Sequence, residues 1–289
     1  LTYDYKEKYL LSFTLRRDGS SNFGSGHKWG WFPSVALAWR MTQEPFMDNV
    51  KFISMLKLRA SFGQTGNSGI GDKAFAYYGI TDFPFMFGGN IVIPANKTQL
   101  ANPDLKWETT TEYNVGLDFG FFSNRITGTL EYYNKVVSDL LSTRTLPAFS
   151  EIRSVADNIG ATQLSGVEFE LHTVNIDKEF RWTTDLNISS YYDKWKERNP
   201  DIVLQPWEGE HDRIRSMYGF KTAGIVQIGQ DIPWMEGELP GNLIFQDIDG
   251  FDENHQLTGH PDGKIDDADK TYLGSSDPAF SFGFGNTFE

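Results

Sequence analysis

The sequence predicts an all-β protein of about eight antiparallel strands, and three observations carry that prediction. Apolar residues recur at every second position over long stretches. The connections between those stretches alternate between long and short. The best stretches, Tyr9 to Arg17, Trp29 to Arg40 and Glu112 to Phe121, are nine to twelve residues long, against about 5–6 for an ordinary soluble strand.

Successive side chains of a strand point to opposite faces, so period-two alternation marks a strand with one oily and one wet face. Tyr9, Leu11, Phe13 and Leu15 alternate with Ser12, Thr14 and Arg16. Trp29, Trp31, Val35, Leu37 and Trp39 alternate with mostly small residues. Leu56, Leu58, Ala60 and Phe62 alternate with Lys57, Arg59 and Ser61. The clearest case is EYNVGLDFGFFSNRITGTLEYYNK at 112–135. Tyr113, Val115, Leu117, Phe119 and Phe121 form its oily side, and Glu112, Asn114, Gly116, Asp118 and Gly120 lie between them. After a tight turn at 122–125, Ile126, Leu130, Tyr132 and Val136 oppose Thr127, Thr129, Glu131 and Lys135, which predicts a β-hairpin. Val167, Phe169 and Leu171 alternate with Glu168, Glu170 and His172. Trp182, Leu186 and Ile188 alternate with Thr183, Asp185 and Asn187. Phe280, Phe282, Phe284 and Phe288 close the set. The best helix candidate is short, near Gln43 to Met47. The opening LTYDYKEKY reads as the middle of a hairpin and FSFGFGNTFE stops inside a strand pattern, so the chain reads as a piece of something longer.

The connections cover 18–28, 42–54, 65–107, 122–125, 138–163, 176–180 and 194–277. After the second they alternate long and short. Outer-membrane barrels have short turns at one end and long loops at the other, and their tilted strands need about 9–11 residues. The 42–54 connection is long for such a turn and weighs mildly against a barrel. The rival reading is a large soluble β-sandwich.

Composition limits the function. The 289 residues carry a net charge of −13, so nucleic acid, which needs a basic stripe, is not an expected partner. There is no cysteine, hence no disulfide framework or thiolate chemistry. No run of about 18 apolar residues forms a transmembrane helix, and the N-terminus lacks a signal-peptide pattern. Mean hydropathy is −0.42, but a barrel hides its lipid face in alternate residues, so this value does not exclude a membrane. Aromatic residues make up 15%, with 23 Phe, 12 Tyr and 8 Trp, which suits an aromatic girdle or, equally, a large sandwich core.

Several long phrases point to one family. RRDGSSNFGSGHKWGWFPSVALAWR at 16–40, LKLRASFGQTGN at 56–67, NPDLKWETTTEYNVGLDFGFFSNRITGTLEYYNK at 102–135 and the closing DGKIDDADKTYLGSSDPAFSFGFGN resemble, in order, the SusC-like (SusC/RagA) TonB-dependent outer-membrane transporters. The resemblance implies a plugged barrel of the 22-strand class, of which residues 1–289 would be a C-terminal portion within one β-barrel domain, with 194–277 a long extracellular loop region. It further implies residence in the outer membrane of a Gram-negative bacterium and contact with outer-membrane lipid. Its other implied partners are a SusD-like surface lipoprotein and TonB, the latter through a segment outside this chain. The implied activity is active import of oligosaccharides or peptides, with no enzymatic step. A surface-exposed, non-transporting glycan-binding or adhesion protein is the alternative, and a soluble glycoside hydrolase a more remote one.

The strongest local motif is DIDGFDENHQLTGHPDGKIDDAD at 247–269. The family carries a short acidic loop here, similar to an EF-hand loop, and Ca²⁺ takes six to eight oxygens. Asp247, Asp249, Asp262, Lys264 (through its carbonyl), Asp266 and Asp269 fall at the matching positions. An insertion from Phe251 to Pro261 interrupts them and either loops out or destroys the site. Tyr77, Tyr78, Phe85, Phe87, Trp207 and Trp234 are loop aromatics able to stack on sugar rings, each more ordinarily a packing residue. Glu168 and Glu170 share a strand face as a glycosidase pair would, but read better as lumen-wall carboxylates. The five histidines show no metal spacing. GNSGIGDK at 66–73 is not a phosphate loop, since Asp72 stands where lysine is needed and no helix follows.

Overall fold

The computed structural model describes residues 1–71, 73, 75–80, 85–92, 95–147, 149–150, 152 and 154–289. Asp72 and the side chains of Tyr77, Tyr78 and Phe85 lie outside the described residues. The dominant element is one nine-stranded sheet. Its strands are β1 (Thr2–Tyr5), β2 (Tyr9–Gly19), β3 (Trp29–Arg40), β4 (Ile53–Asn67), β5 (Glu108–Phe121), β6 (Ile126–Ser138), β7 (Ala161–Asp177), β8 (Arg181–Glu197) and β9 (Ser281–Phe288). Each pairs antiparallel with its neighbours in chain order, an up-and-down meander.

All eight expected strands are present. The ninth is β1, which the opening hairpin contains but which is only four residues long and too short to score by period. The expected helix near Gln43 to Met47 is instead two three-residue 3₁₀ turns, Met41–Gln43 and Pro45–Met47. Pro45 starts the second turn, since its fixed φ suits a first helical position and its missing N–H breaks the first. β7 and β8 each reach 17 residues, well past the alternating apolar cores at 167–171 and 182–188. Their extensions pair by backbone hydrogen bonds where the side chains are polar or mixed, so hydropathy alone understates them.

The register preserves facing across the whole sheet. Tyr5, Tyr9, Trp39, Leu58, Leu117, Leu130, Phe169, Ile188 and Phe282 form one continuous cross-strand row over all nine strands. The next row is Asp4, Leu10, Ala38, Arg59, Gly116, Glu131, Glu168, Ser189 and Ser281, on the opposite face. A one-residue slip at any strand would have inverted its facing.

The connections at one end are 6–8, 41–52, 122–125 and 178–180, and those at the other are 20–28, 68–107, 139–160 and 198–280. The tight turns use left-handed backbone at Lys6 and Glu7 and at Phe122, Ser123 and Asn124. At the loop end a small cluster of Phe23, Leu105 and Ala156 is buried, with Ile70, Trp107 and Leu141 against it.

Residues Ile202–Pro278, between β8 and β9, form a separate compact unit. Within it Ser216–Phe220 pairs with Lys270–Ser275, and Thr222–Ile225 with Leu243–Phe245. Val226, Ile232 and Ile244 make its core, covered by Trp234 and Met235. Among the described residues no helix is long and apolar enough to cross a membrane, which does not bear on strands.

Candidate functional site: an apolar outer face and a charged inner face

The apolar row is open. Leu58 is 39%, Leu130 44%, Ile188 40% and Phe282 68% exposed. A contiguous apolar band nine strands wide far exceeds the few hundred Å² that a soluble monomer leaves bare. Rings gather at both ends of the band. On the turn side Tyr5, Tyr9 and Trp39 stack in succession, each pair 6.4 Å apart, and Phe52 stacks on Phe121 and Phe180 on Phe288. On the loop side stand Trp29, Trp31 and the Phe62–Tyr113 pair. Trp29 and Trp39 are ten residues apart on β3. That is roughly 34 Å of extended strand, or about 26 Å along a membrane normal at a tilt of ~40°, matching the ~25 Å band of outer-membrane barrels.

The long connection at 41–52 is held by Glu44. Its carboxylate accepts hydrogen bonds from Tyr9 Oη (2.7 Å), Lys8 Nζ (3.0 Å) and Trp39 Nε1 (3.1 Å). These three donors, the Tyr9 hydroxyl first, hold the Glu44 carboxyl below the usual carboxylate range. The turn is therefore folded down onto the girdle, which removes its length as an objection to a barrel.

The opposite face is charged and internally paired over β4–β6. Arg59 donates through Nε and Nη2 to Asp118 (2.7–3.0 Å) and through Nη2 to Glu131 (2.6 Å). Lys57 Nζ lies 3.2 Å from Asp118, and Asn114 Nδ2 donates to Glu131 at 3.1 Å. Gly116 sits between Arg59 and Glu131 in the same row, and a Cβ there would lie 3.0 Å from Arg59 Nη2. The absent side chain lets the guanidinium cross a strand to its second carboxylate. Sequence reasoning placed Asp118 and Glu131 on this face but missed their cations, although Lys57 and Arg59 have the parity that puts them there. A longer side chain at Gly116 would therefore meet that guanidinium.

Farther along the same face the carboxylates are less engaged. Glu168 and Glu170 are exposed, and His172 Nδ1 lies 2.7 Å from Asp185 Oδ1. A cavity of about 540 Å³ is lined by Thr127, Thr129, Glu170, His172, Asp185 and Asn187 among others.

In the 202–278 unit the interrupting insertion folds upon itself. Phe251 bridges to Leu257 and stacks on His255 at 4.0 Å, and Thr258 N donates to Gly250 O. The two halves of the acidic motif thereby become neighbours. Asp247 accepts from the backbone of Asp262 and Gly263, and Asp269, fully buried, accepts from Ile248, Asp249 and Asp266. Asp266 caps the 3₁₀ turn Asp267–Asp269. Asp262 accepts from Lys264 N, and Lys264 Nζ lies 3.9 Å from Asp262. Burial would raise the Asp249 carboxyl, but donors from Gly250, Gly259, Thr258 and His260 outweigh it and hold the pKa low. The carboxylates thus meet backbone donors, and among the described residues no three His, Cys, Asp or Glu side chains converge as a ready metal cluster. Of the loop aromatics, Trp234 is a packing residue that donates to Phe245 O at 2.9 Å, Trp207 lies under Lys270, and Phe87 is 73% exposed.

A family model described as "TonB dependent receptor-like, beta-barrel" matches residues 1–216. The chain belongs to the TonB-dependent receptor β-barrel family. It is 34% identical to TonB-dependent receptor P3 of Formosa agariphila over 99% of this chain and 29% of that protein. It is 38% identical to TonB-dependent receptor SusC of Bacteroides thetaiotaomicron over 65% of this chain and 19% of that one. Among solved structures, the RagAB peptide transporter superposes with a TM-score of 0.75 over 98% of this chain and 30% of that one, at 23% identity, a likeness of fold. The chain spans under a third of the length of the curated relatives it matches. It is thus a SusC-like barrel segment, and family membership implies residence in the Gram-negative outer membrane.

Proposed function

We propose that the whole protein imports oligosaccharides across the outer membrane, driven through TonB and working with a SusD-like surface lipoprotein, and that it performs no chemistry on its cargo. Peptides are the second cargo class. The observation that carries this reading is the unbroken apolar row across nine strands, set against an ion-paired opposite face, in a chain of this family. A wall of that kind separates lipid from a polar interior able to pass polar cargo. Exposed loop rings such as Phe87 suit the apolar face of a sugar. The test is uptake of labelled oligosaccharides and of peptides by cells expressing the full-length receptor, with and without TonB. Uptake of oligosaccharide that disappears with TonB supports the reading. Surface binding without uptake, indifferent to TonB, would instead support an adhesion or glycan-binding role.

We also infer that residues 202–278 lie outside the cell and that their acidic loop takes up Ca²⁺ with the weak affinity of extracellular sites, roughly 10⁻⁴–10⁻³ M. The supporting observation is that the 251–261 insertion loops out and leaves Asp247, Asp249, Asp262, Lys264, Asp266 and Asp269 in one contiguous loop pair. Binding requires carboxylates to exchange backbone donors for the ion. Calorimetric Ca²⁺ titration of the full-length protein against an Asp247→Ala, Asp262→Ala variant checks it. Equal uptake by both at millimolar Ca²⁺ rules the site out.

A further inference from the structure

We propose that Arg17, together with the indoles of Trp29 and Trp31, is a binding site for the phosphate of a lipid headgroup at the loop-side boundary of the apolar band. The inference rests on the reading that this face meets lipid.

Arg17 continues the apolar face of β2, following Phe13 and Leu15 at the same parity. It pairs in register with Trp31, and Trp29 pairs two residues further on with Gly19. Its guanidinium lies 4.4 Å from the Trp29 ring centre and 5.1 Å from that of Trp31. Both indoles are more than half exposed, at 59% and 56%. The site is therefore level with the loop-side aromatic belt, at the height where headgroups begin.

What marks Arg17 is the lack of an anion. Among the described residues no carboxylate or carbonyl takes a hydrogen bond from it. Its chain neighbour Arg16 points to the other face and is ion-paired with Asp18 at 2.8 Å, and Arg59 is held by two carboxylates. A guanidinium stacked on rings uses its flat face and keeps its in-plane N–H donors free. Those donors form a fork that matches two phosphate oxygens. The rings also shield the cation from water on one side, which strengthens an ionic hydrogen bond on the other. Arg17 thus places an unpaired positive charge on the apolar face of a chain of net charge −13, where an anionic headgroup would lie.

The occupant is a phosphorylated lipid, since free phosphate would have to compete beside exposed apolar rings that gain nothing from it, whereas a lipid covers those rings with its own chains. The test uses the full-length receptor in detergent, with bound lipid counted by native mass spectrometry. The probes are diphosphorylated lipid A, the same lipid with both phosphates removed, and millimolar inorganic phosphate. Wild type is expected to retain the phosphorylated lipid about tenfold better than the dephosphorylated one, the scale of a charge-assisted bidentate contact. Arg17→Gln should bring that ratio close to one, and Arg17→Lys, which keeps the charge without the fork, should fall between. Inorganic phosphate should not displace the lipid. An unchanged ratio in both variants overturns the proposal, and so does displacement by inorganic phosphate, which would make this a soluble-anion site. Heat-modifiable gel mobility reports folding, and if Arg17→Gln does not fold the Lys variant alone decides. A receptor that inserts normally into bilayers but ignores the phosphates defeats this site only. One that tolerates charge throughout the apolar row defeats the lipid-facing reading itself.

Discussion

The sheet and the 202–278 unit use the same aliphatic residues in opposite ways. In the unit, Val226, Ile232 and Ile244 are 2–6% exposed and pack under Trp234 and Met235. In the sheet, Leu58, Leu130 and Ile188 stand open beside exposed rings. The polar groups are inverted to match. Carboxylates of the unit cap backbone donors at its surface, whereas Asp118 and Glu131 are neutralised by side chains on the sheet's inner face. The lesson concerns solvent. Apolar burial is favourable wherever it removes surface from water, and a strand can do that against lipid while a loop unit has to supply its own core.

The largest expected effect tests the outer half of that contrast. Leu117→Arg puts a charge mid-strand on the face proposed to meet lipid and should cost about 2–4 kcal/mol at the bilayer midplane. Asn114→Arg, on the inner face beside Glu131, should cost clearly less. Gly116→Arg should not behave like Asn114→Arg, because Arg59 occupies its space. Folding of the full-length receptor into lipid vesicles under denaturant titration measures all three. Equal losses for Leu117→Arg and Asn114→Arg would reverse the assignment of faces.

The inner half of the contrast is tested by Ile244→Ala. A buried isoleucine truncated to alanine typically costs about 2–5 kcal/mol, and a core this small should fall near the lower end. The loss should stay local, with hydrogen exchange rising across 222–245 and protection of β5–β6 unchanged. Faster exchange in both would mean that the unit and the sheet share their stability.

Next is the charge network. Arg59→Gln leaves Asp118 with Lys57 alone and Glu131 with Asn114 alone. Since the group is about a third exposed, about 1–2 kcal/mol is expected, read in the same vesicle assay. Arg59→Gln combined with Glu131→Gln should lose less than the sum of the two single variants.

The smallest effect belongs to Glu44. Its pKa is lowered on folding, chiefly by the Tyr9 hydroxyl and then by Lys8 and Trp39. Its contribution is therefore fully present above the ordinary carboxylate pKa and is lost as pH falls through the lowered folded value. Protection of residues 41–52 from hydrogen exchange should drop on acidification through that range in wild type. In Glu44→Gln it should be lower at neutral pH and insensitive to the same acid step.

What the sequence by itself determined is what has a local cause. Period two is a property of one strand, so the eight long strands, their oily and wet sides and the short-turn, long-loop rhythm were all legible. The long phrases such as LKLRASFGQTGN added the family. What depends on distant chain neighbours was decided only in the tertiary structure. β1 exists as a strand because β2 is there to pair with it. Arg59 meets Glu131, 72 residues away, because the register sets Gly116 between them. The 41–52 connection lies down because Glu44 finds Tyr9, 35 residues earlier. The two halves of the acidic motif lie side by side because Gly250 and Thr258 close the 251–257 loop at its base. Facing follows from the geometry of a single residue's backbone, whereas pairing is a contest among all the partners a side chain can reach, and only the folded chain resolves it.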